Sequence, residues 1–321
     1  MTRKQLKDFR RETLLLLAYP FFLLVLLFLQ IYPKQWRPRM ARGLGRLAFR
    51  CDKHSRKHTL NNLRLAYGNE KSEEEIQQMG LEVFEEIGVS VTDFFATVFI
   101  RDKERYFNMV KVEGLEHLQK AYDRGKGVLC LIPHLSIWEL SAVTPPMLGF
   151  RTSAVSKPIK GMLFQKSMVH FRAKRGMRNY ERDHSYQKIL DSLHDGECMI
   201  MMIDQDTKVK GAFVDFFGHQ AYTPLGCARV AADTGCAVVP MATIRTGDGQ
   251  YLFKIEPELP LIDTGNLEED LVANTQAETA AMERFVRDYP TQWVWMHRRW
   301  KTTPESLAKF LEEKRKAKQQ Q

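Results

Sequence analysis

Several common protein classes are excluded by what the chain lacks. Its 321 residues include five cysteines, Cys51, Cys130, Cys198, Cys227 and Cys236, with no C-x-x-C pair among them. An odd set at those spacings offers neither a disulfide framework nor a zinc ribbon, and reads as reduced, mostly buried thiols. No internal repeat or linker interrupts the sequence, and no G-x-S-x-G segment supplies a hydrolase-type nucleophile elbow. Helix-turn-helix, RNA-recognition and zinc signatures are also missing. With 44% hydrophobic and 27% charged residues and a mean hydropathy of -0.36, disorder, collagen and a polytopic membrane protein are excluded.

Acidic residues are scarce at one end only. Residues 1–64 hold 15 Lys and Arg against 3 Asp and Glu, leaving 33 basic and 36 acidic residues for the remainder, so the whole +9 excess is N-terminal. Inside that region, residues 13–32 form a run of twenty without a charge, nine of them Leu. As a helix rising about 1.5 Å per residue it matches the roughly 30 Å of a bilayer's hydrocarbon. Tyr-Pro-Lys-Gln-Trp-Arg comes next rather than a small-residue cleavage site, which argues for a retained anchor over a signal peptide; an interfacial helix bent at Pro20 is the other reading. Residues 34–64 carry ten basic side chains and one Asp, so the positive-inside rule puts this flank, and the domain behind it, in the cytoplasm on a single-pass anchor. The same charge also suits anionic headgroups.

Beyond the basic stretch, Ser72-Glu73-Glu74-Glu75 has the form of a capping box opening a helix to about Val98. From Leu115 short apolar runs alternate with helical segments. Buried strands are predicted at 128–132, 152–156, 198–203 and 237–244, with helices near 161–174, 186–194 and 225–232. A Thr246-Gly247-Asp248-Gly249 turn leads into a strand at 251–255, and a long helix covers 267–288. This pattern implies an α/β fold, a single mixed sheet flanked by helices and preceded by one N-terminal membrane helix. The expected organisation is a basic tail over 1–12, the anchor over 13–32, a basic membrane-proximal segment over 33–64, one domain over 65–305 and a polar, frayed tail over 306–321.

Directly after the 128–132 strand comes Pro133-His134-Leu135-Ser136-Ile137-Trp138-Glu139-Leu140. Open α/β sheets place ligand sites at such strand ends. His134 is a candidate general base, and Glu139 a candidate to hold its other ring nitrogen. Five residues apart they point about 140° away from each other on a regular helix, so they meet only if His134 lies in the loop and Glu139 in the first helical turn. A structural His with a helix N-terminal Glu is the bland alternative. Asp204 and Asp206, two apart beyond a strand, have no His or Cys close in sequence, so no metal is assigned and a structural or acceptor-positioning role is expected.

The block GVLCLIPHLSIWEL resembles the His, four residues, acidic residue motif of lipid acyltransferases, specifically of the bacterial lipid A late acyltransferase family within the lysophospholipid acyltransferase-like superfamily. That motif usually reads H-F-G-N-W-E; His134, Trp138 and Glu139 match, while Leu135, Ser136 and Ile137 depart, which bears on the acceptor more than on the chemistry. Further blocks match in the family's order: Asn61 to Tyr67 resembles N-L-x-L-A-F, Phe171 to Gly176 resembles R-x-R-x-G, Ile203 to Asp206 with Gly211 to Gly218 resembles D-Q-D then F-V-x-F-F-G, and Trp293 to Lys301 resembles W-x-W-x-H-R-R-F-K.

The resemblance implies a glycerolphosphate acyltransferase-like sheet and transfer of a fatty acyl group from an acyl carrier protein thioester, as co-substrate and with no cofactor, to a hydroxyl of a lipid A precursor at the bacterial inner membrane. His134 and Glu139 are the implied catalytic pair, attacking directly without an acyl-enzyme. Arg172 is expected to stabilise the oxyanion or meet a phosphate, and Arg175, Asp204, Asp206, Arg298 and Arg299 complete the expected substrate contacts. Residues 151–182 hold nine basic side chains against Glu181 alone, and Lys174, Arg175 and Arg178 form a candidate surface for the acidic carrier protein. Another glycolipid, an aryl polyene lipid or a lysophospholipid is the alternative acceptor. A reading of a different class, a membrane-tethered module gripping anionic lipid or nucleic acid, explains the charge but leaves the His134/Glu139 block without a use; nucleic acid is not expected as a partner.

Overall fold

The uncharged N-terminal run lies within a 29-residue helix, α1 (Arg3–Ile31), which starts earlier than the apolar stretch and contains Pro20. Its Phe9–Ile31 portion contains an 18-residue window of mean hydropathy 2.6, and the helix is long and apolar enough to cross a bilayer. The structure, a computed structural model, describes residues 3–319 apart from 99, 101, 183, 184 and 208. Most of α1 is exposed, but one edge rests on the rest of the protein. Tyr19 hydrogen-bonds Ser167 at 2.6 Å, Phe22 meets Phe95 edge-on with ring centroids 5.2 Å apart, and Leu26 and Leu29 are buried.

The basic stretch is helical. Helices α2 (Arg37–Cys51) and α3 (Lys53–Tyr67) occupy it, with Pro38 in the first turn of α2 and Asp52 capping α3 through Ser55. Next, α4 (Glu73–Thr97) begins with the expected capping box: Ser72 N–H donates to Glu75 Oε2 at 2.8 Å and Glu75 N–H to Ser72 Oγ at 3.3 Å. Helix α2 lies directly on α4, because Gly45 and Gly88 bring the two backbones together.

The α/β region runs α5 (Lys103–Met109), β1 (Val110–Glu113), α6 (Leu115–Tyr122), β2 (Val128–Leu131), α7 (Trp138–Leu148), β3 (Thr152–Ser156), α8 (Met162–Ala173), β4 (Met177–Glu181), α9 (Tyr186–His194) and β5 (Cys198–Met201). It continues with β6 (Gly211–Phe216), β7 (His219–Pro224), α10 (Gly226–Thr234), β8 (Ala237–Gly247), β9 (Gln250–Ile255), α11 (Leu267–Asp288) and α12 (Pro304–Gln319). Seven strands form one mixed sheet in the order β1-β9-β8-β2-β5-β3-β4. The β8 to β9 hairpin is antiparallel, so β1 and β9 run against the other five.

The middle strand shows why the apolar runs are continuous. Along β2, Val128 and Cys130 join the core on one face, and Leu129 and Leu131 the core on the other. Four of the five cysteines are buried as well. Strands β1 and β4, and the separate hairpin β6 to β7, were not expected. They are short, and β1 and β4 are polar sheet edges (VKVE, MRNYE) whose one-sided burial leaves no apolar run to read. The segment expected as a polar tail is α12, entered through reciprocal backbone to side-chain hydrogen bonds between Thr303 and Ser306.

For function, the arrangement that matters is in the centre. Strands β2 and β5 are parallel neighbours, registered from Val128 with Cys198 to Leu131 with Met201, so the loops after them open side by side.

Candidate active site

His134 sits in the loop between β2 and α7, and Glu139 lies in the first turn of α7, as their spacing required. The loop is pinned from outside. Ser136 N–H donates to the Gln292 carbonyl at 2.7 Å, Val294 N–H donates to the His134 carbonyl at 3.2 Å, and Leu135 pairs with Trp293 as an isolated bridge. Ser136 carries the turn at φ 48°, one of two non-glycine residues at positive φ among the described residues. The His134 side chain retains 18% of its exposure.

The imidazole's partner is Asp204, not Glu139. Asp204 lies just beyond β5, and its Oδ1 is 2.6 Å from His134 Nδ1, while Oδ2 accepts the His134 backbone N–H at 2.7 Å and Trp293 Nε1–H at 2.8 Å. Burial opposes ionisation of this fully enclosed carboxyl, but the neighbouring His134 and the hydrogen bonds it accepts outweigh that and hold its pKa at about 2. An ionised carboxylate only accepts, so Nδ1 carries a proton, and in the neutral imidazole the lone pair is on Nε2. The expected role of Glu139 on the imidazole is thereby corrected: the neighbouring strand reaches Nδ1 first.

Glu139 is taken by Arg172 of α8. Arg172 Nε and Nη2 donate to its two carboxylate oxygens at 2.9 and 2.5 Å, the bidentate geometry of a forked guanidinium. Nη1 donates to Ser156 Oγ at 3.1 Å and Asn179 Oδ1 at 2.6 Å. Arg172 thus ties the first turn of α7 to α8 and to β3 and β4. Its guanidinium is engaged with protein atoms, so the arrangement makes it a positioning residue for α7, where direct contact with an oxyanion or phosphate was expected.

Other expected contacts resolve into packing. Arg175 is buried, donates through Nη2 to the Thr97 and Ile100 carbonyls at 2.8 and 2.9 Å, and stacks on Phe171. It is no surface for a carrier protein, and Arg178 is paired with buried Glu197. Arg299, expected on headgroups, is fully buried; it donates to the Tyr222 carbonyl at 2.8 Å and Thr223 Oγ1 at 2.6 Å, and burial lowers its pKa to about 10. Asp206 accepts from Thr302 N–H and Oγ1 at 2.6 and 2.8 Å. Arg298 alone of this pair of arginines is exposed.

Two residues not anticipated frame the site. The His297 ring lies 5.8 Å from that of His134, centroid to centroid, and Gln205 Nε2 donates to its Nε2 at 2.9 Å. Burial, with His134 beside it, lowers the pKa of His297. Asn62 Nδ2 in turn donates to the carbonyls of Trp295 and His297 at 2.7 and 2.6 Å, holding the 293–301 segment over the site. The shared NLRLAY and WVWMHRRWK blocks were the signal for both. Elsewhere, an apolar cavity of about 840 Å³ lies where α1 meets α4 and α8, lined by Phe22, Leu26, Phe94, Phe164 and Phe171 among others.

Similar sequences are found among known acyltransferases. A Mycolicibacterium smegmatis phosphatidylinositol mannoside acyltransferase is 27% identical over 62% of this chain and 65% of its own, so the match spans under two thirds of that relative. A Haemophilus influenzae lipid A biosynthesis acyltransferase is 24% identical over 86% of this chain and 84% of its own. The lipid A biosynthesis lauroyltransferase of Escherichia coli is 27% identical over 84% and 86%. The model of the family described as bacterial lipid A biosynthesis acyltransferase matches residues 6–302, and the chain belongs to that family.

Proposed function

We propose that this protein is an O-acyltransferase at the inner membrane, moving a fatty acyl group from an acyl carrier protein thioester to a hydroxyl of a lipid A precursor. The observation that carries the chemistry is the hydrogen bond from His134 Nδ1 to Asp204, which leaves Nε2 as a base. In the proposed step Nε2 takes the hydroxyl proton as the acceptor oxygen attacks the thioester carbonyl. The tetrahedral intermediate collapses, the C–S bond breaks, and the leaving thiolate takes the proton back from Nε2. Asp204 steadies the imidazolium between the two transfers. Glu139 acts one step removed, through Arg172, by fixing the turn of α7 next to the His134 loop.

Two further features support the reading. Helix α1 suits a membrane anchor, and because Tyr19 and Phe22 dock on α8 and α4, that anchor holds the site at the bilayer instead of on a tether. The apolar cavity beside it has the volume and lining for hydrocarbon. A second acceptor class, another membrane glycolipid, is favoured by the likeness to the phosphatidylinositol mannoside acyltransferase.

Incubating the full-length protein with labelled acyl carrier protein thioester and a lipid A precursor, with products weighed by mass spectrometry, tests the proposal. Wild type is expected to add one acyl chain, and His134→Ala to do so at least about 100-fold more slowly. Undiminished transfer by His134→Ala removes it as the base, and nucleic-acid binding with no transfer identifies a binding module instead.

A further inference from the structure

A polar cavity of about 330 Å³ has His297 in its wall. Its wall is formed by His54 and His58 of α3 and by His297, Arg298 and Lys301 of the C-terminal segment, with Asp206 the one carboxylate. Asp206 is held in place by Thr302, whose N–H and Oγ1 donate to its two oxygens. Arg298 and Lys301 are exposed, and neither has an ion-pair partner among the described residues. His54 and His58, one helical turn apart, bring their rings to 4.5 Å edge to face. Burial and then the charges of His54, Arg298 and Lys57 disfavour the protonated form of His58.

Five cationic or protonatable groups thus converge from two elements on one opening, with Asp206 the one carboxylate among them. Such a wall suits a multiply charged anion, which adds the negative charge that one carboxylate leaves short and favours protonation of the histidines. Donors approaching from α3 and from the 297–301 segment suit a tetrahedral group accepting in several directions better than a planar carboxylate. The volume is at the small end of ligand sites, about 300–1,000 Å³, and fits a headgroup, whereas hydrocarbon has the apolar cavity by α1.

We infer that this cavity is a phosphate subsite, holding a phosphate ester of one of the two substrates while the reacting atoms meet His134. The kinetic part of this inference rests on the proposed acyl transfer; the binding part does not. His297 is the link, since it lines the cavity and its ring also lies 5.8 Å from that of His134, centroid to centroid. A group anchored by phosphate in this cavity has its neighbouring atoms brought toward the His134 imidazole. The phosphate belongs either to the lipid acceptor or to the pantetheine arm of the acyl donor, chemistry the cavity treats alike.

The double variant Arg298→Gln/Lys301→Gln removes two exposed charges at little risk to the fold. In the full-length protein in detergent, with isotope-labelled histidine, inorganic phosphate is expected to shift the ring resonances of His54, His58 and His297, beyond any effect of sodium chloride at equal ionic strength. The variant should lose most of that response. In the transfer assay the variant should raise KM about tenfold for the substrate whose phosphate is held. If that substrate is the acceptor, its advantage over the same lipid dephosphorylated shrinks; if it is the donor, the rise falls on the acyl carrier protein thioester. Unmoved resonances, or an active enzyme whose KM changes for neither substrate, overturn the inference. A wild-type protein that transfers nothing defeats the acyl-transfer reading, while the phosphate titration still decides this one.

Discussion

At the residue scale, His134 was legible and its partner was not. A histidine just past a buried strand, with an acid five residues on, is a local pattern that sequence exposes. Asp204 lies 70 residues away and reaches His134 because β5 happens to be the parallel neighbour of β2, a fact of strand order that no local spacing encodes. Arg175 and Arg299 erred in the opposite sense. Each is an arginine in a basic cluster, which favours a surface reading, yet each is buried on backbone carbonyls and an aromatic face. Burial of the other sign of charge gives a testable pH dependence at Glu278. Its carboxyl is enclosed beside Cys227 between α10 and α11, and desolvation raises its pKa to about 8. The folded state therefore holds this proton more tightly than the unfolded chain, so its contribution is full below the ordinary carboxylate pKa and is lost as pH rises toward 8. Glu278→Gln, which cannot ionise, is expected to gain in melting temperature relative to wild type between pH 5 and pH 8. A constant difference over that range would show that Glu278 is not buried as a neutral acid.

At the scale of elements, periodicity revealed what is buried on two sides and missed what is buried on one. The central strands and α4 with its capping box lie where expected, whereas β1 and β4 are four and five residues of largely polar edge. Residues 34–64 read as charge and are largely helical: α3 buries Leu60 and Leu63, while α2 packs through glycine and not through an apolar stripe. A Cβ at Gly45 would lie 2.3 Å from the Phe84 carbonyl oxygen, and one at Gly88 would lie 2.4 Å from that of Ala41. The α2 and α4 backbones therefore touch, and larger side chains must force them apart. Gly88→Val is expected to cost about 1–3 kcal/mol and lower the melting temperature by several degrees. Gly43→Ala, two residues before Gly45 on α2 with nothing within 4 Å, should raise it slightly through helix propensity. Equal melting temperatures for both variants would contradict close packing of this pair.

Over the whole molecule, the charge asymmetry has two destinations. Part of the N-terminal excess is consumed internally: Arg46 pairs with Glu85 at 2.5 Å, Arg64 with Glu73 at 2.6 Å and Arg42 with Asp248 at 2.9 Å. The rest, including exposed Arg39, Arg50, Lys53 and Lys57 on α2 and α3, remains available for an anionic surface near α1. A second concentration, invisible in the net charge, gathers around His297 where α3 meets the C-terminal segment. The molecule thus has an apolar cavity beside α1 and a cationic opening between α3 and the C-terminal segment, and its His134 is hydrogen-bonded to a buried aspartate on which the proposed role as base depends. Acyl transfer by Asp204→Asn measures that dependence most directly. The amide keeps the size of the side chain and an acceptor for Trp293, but not the negative charge facing Nδ1. The account predicts a loss of roughly 10²–10⁴-fold in kcat with the fold intact; a variant within about threefold of wild type would show that the His134 and Asp204 pair does not carry the reaction.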